Sequence, residues 1–413
     1  MQIILPILLF FLLVLEGLGV KFGREATLFL IIFLFPILFV HMFFHKKSIV
    51  FPKMISVFFL LFIVSTLIST VISVNVTQSI QYLLLTISLF LVFLLSYNYK
   101  GELKKPITIF IFASSILFSL YSLCLNLNFL NFFIPENGYQ FVFSRFASHN
   151  HLGDFLALPI IICIYYLYNR TGKQVSILKA SINLKSLIIN QNSNSIFLSV
   201  TYLLVATPFV IFSYSRSSYL TIALCTLFIH IFYIKNKHSA VHKMTSRLLI
   251  MIIVLSTIFF FITTTQQAER QPLASRINNL LVQKTGLKYK DILGERPEYV
   301  RQSLLSAQKN PIFGIGPDNF QSASKQYSKP SVRVTTSAHN IFLEILVGQG
   351  ILGLLPFVGL ILVILIKSRK NALFFAMLAM LINFQTDYTY QISSFMLLFF
   401  ALAGIILKGH QEQ

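Results

Sequence analysis

The chain has 413 residues, 56% of them apolar and only 11% charged, with a formal net charge of +20. An ordinary soluble domain carries about 45–50% apolar and about 25% charged residues, so this composition excludes that class. The basic residues are spread over many short segments instead of forming one patch, which argues against nucleic acid as a partner.

In chain order, apolar runs able to cross a hydrocarbon core of roughly 30 Å as helices recur twelve times. They fall at roughly 3–20, 26–44, 54–73, 79–97, 106–125, 152–169, 196–213, 217–234, 247–265, 340–366, 371–386 and 392–408. The eleventh is short and polar at its end. The first has too long an apolar stretch for a cleaved leader, no basic residues before it and no A-x-A site after it, so it reads as a retained span. Cys124, Cys163 and Cys225 lie inside apolar runs and show no disulfide or metal spacing. Residues 170–195 read as a flexible loop.

Short loops fix the expected sidedness. With the N-terminus inside, the inner loops hold 18 Lys or Arg and the short outer loops four (Lys21, Arg24, Arg145 and Arg216). That bias predicts cytoplasmic N- and C-termini. The expected fold is an all-α polytopic membrane protein of about twelve transmembrane helices, with a large, partly helical periplasmic loop between spans 9 and 10. Four segments follow: N-terminal spans over 1–140, spans with outer-face motifs over 141–265, the loop over 266–338, and the last spans over 339–413.

The loop is polar and carries eleven Lys or Arg against five Asp or Glu. "LASRINNLLVQ" has helical spacing. "GERPEYVRQSLLSAQKNP" reads as a second helix capped at Gly294 or Glu295, with Pro297 in its first turn and Asn310-Pro311 as its stop. "NPIFGIGPDNF" reads as a tight turn before a short helix.

The outward polar groups are the candidates for chemistry: Arg145, His149, Asn150, His151, Arg216, Arg296, Arg301, His339, Asn340 and Asp387. Arginine offers a planar fork of donors suited to phosphate. Arg216 sits in a very short hairpin, where it either binds an anion or snorkels to the interface. Arg296 and Arg301 share a loop helix with Glu295 and Glu298, so a merely solvated face is the alternative there.

His339 opens the tenth span. Thr336 or Ser337 is expected to cap that helix, leaving amide donors for an anion and the imidazole for proton transfer or for a plain interfacial cap. Asn340 and Glu344 are four apart on one face, and Glu344 is expected to point inward, bracing Asn340 or a loop arginine. Gly348, Gly350 and Gly353 spell G-x-G-x-x-G but follow no strand, so a dinucleotide site is rejected in favour of close helix packing. His149, His151 and Asp154 form only a weak metal signal, and no metal or other cofactor is expected.

Taken together, "GERPEYVRQSLLSAQKNPIFGIGPDNF", "AHNIFLEILVGQGILGLL", "YSRSSYLTIAL" and "SRFASHNHLG" resemble the core of the O-antigen ligase and polymerase superfamily, over roughly residues 145–400. The resemblance implies a GT-C-like, metal-independent, inverting glycosyltransferase of the bacterial inner membrane. Its donor would be a glycan on undecaprenyl pyrophosphate. Its acceptor would be lipid A-core for a ligase, or another lipid-linked glycan for a polymerase, with membrane lipids around it and the active site on the periplasmic side. By the same resemblance, Arg216 and Arg296 bind the pyrophosphate and His339 activates the acceptor hydroxyl, all gathered in one crevice. Arg145, Arg301 and Asn340 are further candidates for substrate binding, and Glu344 for support. Tyr299 stands where many relatives have a Trp-containing pair, and the chain has no Trp. A lipid-linked oligosaccharide flippase is the competing class, disfavoured because few charges lie within the spans.

Overall fold

The computed structural model describes residues 5–9, 12, 40, 49–99, 103–126, 149–178, 191–213, 215–235, 295–330 and 334–408. Among them every regular element is helical. The helices are α1 (Lys53–Val71), α2 (Val76–Asn98), α3 (Lys104–Asn126), α4 (His149–Leu178), α5 (Gln191–Phe212), α6 (Arg216–Lys235), α7 (Arg296–Lys309), α8 (Phe320–Tyr327), α9 (Ile341–Lys367), α10 (Ala372–Thr386) and α11 (Ser393–Lys408), with a short 3-10 turn at Thr389–Gln391.

Nine of these helices fall where spans were expected. Four described segments are long and apolar enough to cross a membrane: Lys53–Val71, Val76–Asn98, Asn150–Asn169 and Ile341–Lys367. Outside the described residues lie the run at 3–20 apart from 5–9 and 12, the run at 26–44 apart from Val40, and all of 247–265, "LASRINNLLVQ" and Arg145. The loop expected over 170–195 is shorter than that, because α4 runs on to Leu178 and α5 begins at Gln191.

The chain divides into two compact units. The first comprises Met1–Ile107, Lys288–Arg369 and Leu381–Gln413; the second comprises Thr108–Leu287 and Lys370–Met380.

In the first unit α1 is amphipathic in the inverted sense. Ser65, Thr66, Ser69 and Thr70 are buried, while Leu60, Leu61, Val64 and Leu67 are exposed. Small hydroxyl residues let helices approach and bond their own backbone, as Thr66 does to Phe62 O at 2.7 Å. Apolar side chains are left exposed on the outer face. An aromatic core ties α1 to α2 and α11: the Phe59 ring centroid lies 5.0 Å from Phe90, 5.6 Å from Phe93 and 5.0 Å from Phe400.

The G-x-G-x-x-G stretch packs differently from the expectation. Gly350 has φ +62° and ψ −159°, a conformation essentially confined to glycine, and it breaks α9. The "PIFGIG" turn docks into the break by backbone hydrogen bonds. Ile315 N–H donates to Val347 O at 2.9 Å and Gly316 N–H to Gly348 O at 2.9 Å. In the other direction Ile351 N–H donates to Pro311 O at 2.9 Å and Leu352 N–H to Ile312 O at 3.2 Å. A Cβ on Gly350 would meet Ile312 O at 2.3 Å. Two of the glycines therefore serve the approach of a turn to a broken helix, not of a second helix.

The first 140 residues contribute more than apolar bulk. Ser73 and Ser79 take hydrogen bonds from Asn319 Nδ2 at 2.8 and 2.9 Å, and Ser79 donates to Pro317 O at 2.8 Å. Ser65 and Thr66 donate to Gln349 Oε1 at 3.2 and 3.0 Å. The α1–α2 connection thus braces the same turn.

The second unit packs α4 against α5 and α6. Leu152, Phe155, Leu156 and Ile161 of α4 are fully buried, and Phe155 meets Phe118 edge-on at 5.9 Å.

Candidate functional site

In the first unit, α7 starts as expected, with Glu295 at its cap, proline in the first turn and Asn310 at its end. Arg296 is its first residue, is half-buried, and makes no hydrogen bond or ion pair among the described residues. Arg301 differs. Its guanidinium grips Glu298, with Nε donating at 2.9 Å to Oε2, and also donates to Tyr327 O. Lys329 Nζ adds a contact to Glu298 at 3.5 Å. The Arg301 bonds hold the Glu298 carboxyl down at about 2. Its donors therefore tie α7 to the end of α8.

The head of α9 is built by a polar chain. The cap is Asn340, not Thr336 or Ser337: its Oδ1 accepts from Phe342 N–H at 3.0 Å and Leu343 N–H at 3.1 Å, and its Nδ2 donates to Gln385 O at 3.3 Å. The amide donors expected to be open at this end are thus used by the helix itself.

His339 precedes the cap with φ +53°, a left-handed conformation that costs a non-glycine residue on the order of 1–3 kcal/mol. Hydrogen bonds hold it there. His339 N–H donates to Ser337 Oγ at 3.1 Å, Ser337 Oγ lies 2.7 Å from Tyr390 Oη, and Tyr390 donates to Glu344 Oε2 at 2.8 Å. Glu344 Oε2 also accepts from Ala338 N–H at 2.8 Å. Glu344 is buried, as expected, and among the described residues its carboxylate accepts from Tyr390 and from the Ala338 amide. Burial, and then the Glu344 charge, push the Tyr390 hydroxyl well up.

The His339 ring lies between two tyrosines. It stacks on Tyr299 at 5.1 Å and 15°, and meets Tyr388 edge-on at 4.8 Å and 80°. Its Nδ1 faces Asp387 Oδ1 at 3.6 Å, an electrostatic contact longer than a hydrogen bond. Asp387 is fully buried, while the His339 side chain keeps 19% exposure. The sequence singles out Asp387 only as an outward polar group and Ser337 only as a candidate cap, and gives no role to Tyr388 or Tyr390. The alternating "DYTYQ" was the available signal, with two tyrosines beside an acid between apolar runs.

In the second unit, α4 and α6 meet at their starts. Asp154 Oδ1 accepts from Ser217 and Ser218 Oγ, each at 2.7 Å, and from Ser215 Oγ at 3.2 Å. A Cβ on Gly153 would meet Ser213 Oγ at 2.3 Å. "GD" of α4 therefore grips the serines on both sides of Arg216, the first residue of α6. Asp154, part of the weak metal signal, serves hydroxyl groups here.

A helical chain with several apolar spans and a polar, aromatic-lined helix head is the class these features define: a multi-pass membrane protein. Residues 200–358 match the family model for O-antigen ligase, a stretch that holds Arg216, Arg296, Arg301, His339, Asn340 and Glu344. The match supports an enzyme that transfers glycan in surface-polysaccharide biosynthesis. No curated protein matches the chain.

Proposed function

We propose that the protein transfers a glycan from undecaprenyl pyrophosphate to a sugar hydroxyl on lipid A-core, at the periplasmic face of the bacterial inner membrane. The observation that carries this reading is the His339 imidazole, held in a left-handed conformation between Tyr299 and Tyr388 with Asp387 behind Nδ1, inside the stretch that matches O-antigen ligase.

With Nδ1 turned to a buried carboxylate, Nε2 is the nitrogen left to take a proton. The acceptor hydroxyl attacks the anomeric carbon while His339 Nε2 removes its proton, and the bond from that carbon to the pyrophosphate oxygen breaks with inversion. Asp387 stabilises the imidazolium that forms. Tyr299 and Tyr388 offer flat faces against which a sugar packs.

Arg296 neutralises the departing pyrophosphate in place of a metal, and its guanidinium, which makes no ion pair among the described residues, fits that role. Arg216 joins it on the strength of its motif, and Arg145 is a further candidate outside the described residues. Arg301 and Asn340, occupied by protein partners, act as positioning residues, and Glu344 supports the His339 turn. The full complement of twelve spans, cytoplasmic termini and a GT-C-like arrangement belong to the same reading.

The test is transfer in vesicles supplied with lipid-linked glycan and lipid A-core. His339→Ala and Arg216→Ala are each expected to lower the rate by on the order of 100-fold or more. Near-normal transfer in both overturns the assignment. Lengthening of the lipid-linked glycan without transfer to lipid A-core would mark a polymerase instead.

A further inference from the structure

The turn docked into α9 has an outward face that stays exposed among the described residues. Ile312 is 52% exposed and Phe313 40%, while Gly314, Gly316 and Pro317 behind them are buried. The backbone bonds from Ile351 and Leu352 set this face directly beside α9. Ile351, Leu352 and Leu355 of α9 are themselves exposed. α9 is one of the helices able to cross a membrane, so its exposed apolar strip faces lipid, and Ile312 and Phe313 extend that strip sideways.

Depth points the same way. Ile351 lies ten residues into α9 and donates to Pro311 O directly after the exposed Lys309 and Asn310, so the turn sits where α9 passes from the polar interface into lipid. Irregular backbone at that depth is tolerated only where its polar groups find partners in protein. The break at Gly350 supplies them: two amides and two carbonyls of α9 pair with two carbonyls and two amides of the turn.

We propose that residues 311–317 are a re-entrant turn seated in the bilayer, with Ile312 and Phe313 packed against lipid acyl chains. Lys309 and Asn310, exposed and polar just before it, limit how far it enters. The turn then anchors α7, which runs straight into it, at a fixed depth. α7 has 14 residues, so Arg296 would stand about 20 Å from the anchor, measured along the helix. This rests on α9 crossing the bilayer and not on the reaction proposed above.

The chain has no tryptophan, so a single substitution reports alone. Ile312→Trp and Phe313→Trp are made separately in the full chain and reconstituted in phosphatidylcholine–phosphatidylglycerol vesicles, with and without brominated acyl chains. The expected result is blue-shifted emission, strongly quenched by the brominated chains and little affected by aqueous iodide. Red-shifted emission quenched by iodide and indifferent to bromine would overturn the proposal. Relief of bromine quenching by added undecaprenyl phosphate would also overturn it, since the face would then belong to an isoprenoid tail. If one variant fails gel filtration, the other still decides the outcome.

Discussion

The heads of α9 and α6 solve one problem in two ways. At α9 the groups that hold the turn come mainly from the neighbourhood: Asn340 caps its own helix and Glu344 reaches back to the Ala338 amide. At α6 the organising group is remote in sequence, since Asp154 of α4 gathers Ser215, Ser217 and Ser218. A local cap depends on spacing within one segment. A remote cap depends on two helices meeting, and here also on the missing Cβ of Gly153. The lesson is that a candidate residue at a helix start is held mainly by local spacing in one unit and by helix packing in the other.

Substitutions at three positions sharpen or break this contrast. The largest loss of stability is expected for Asp154→Ala, about 3 kcal/mol, because buried serine hydroxyls lose their acceptor. Asp154→Asn, which keeps an acceptor oxygen, should lose less. Thermal unfolding in detergent measures both, and a negligible change for Asp154→Ala would refute the remote-cap reading. Asn340→Ala should cost about 1 kcal/mol, the usual value of a helix cap, with much of it restored by Asn340→Ser. Limited proteolysis around residues 335–345 reads that loss.

The smallest effect belongs to the local Glu298–Arg301 pair. The Glu298 carboxyl is lowered to about 2 from its ordinary 4.5. A depressed carboxyl stabilises the folded state above the unfolded value, so its contribution is full above about 4.5 and fades as pH falls towards 2. Amide exchange protection across α7 should fall in that acid window in the wild type and lose the dependence in Glu298→Gln. The pair is partly exposed, so the amplitude is small.

Where signals are local, the sequence was readable. Apolar runs of span length located the described helices at nine of the expected positions, because crossing lipid demands continuous apolar helix. Glu295, Pro297 and Asn310 marked α7 to within a residue. The sharp features of the candidate site were harder. His339 and Asn340 could be singled out, but not which of the nearby polar residues would cap the helix, since Thr336, Ser337 and Asn340 all have suitable side chains. Asp387 could be noticed, but not its approach to His339 from 48 positions away in the chain.

By itself, then, the sequence determined the helical class, the positions of nine described helices and the small set of polar residues worth watching, because hydrophobic length and cap chemistry are properties of short segments. Only the tertiary structure decided that Gly350 opens α9 for a docked turn, that Tyr299 and Tyr388 enclose His339, and that Asp154 serves the serines around Arg216. Each of these is a meeting of distant segments, and such meetings are set by packing that no local pattern encodes.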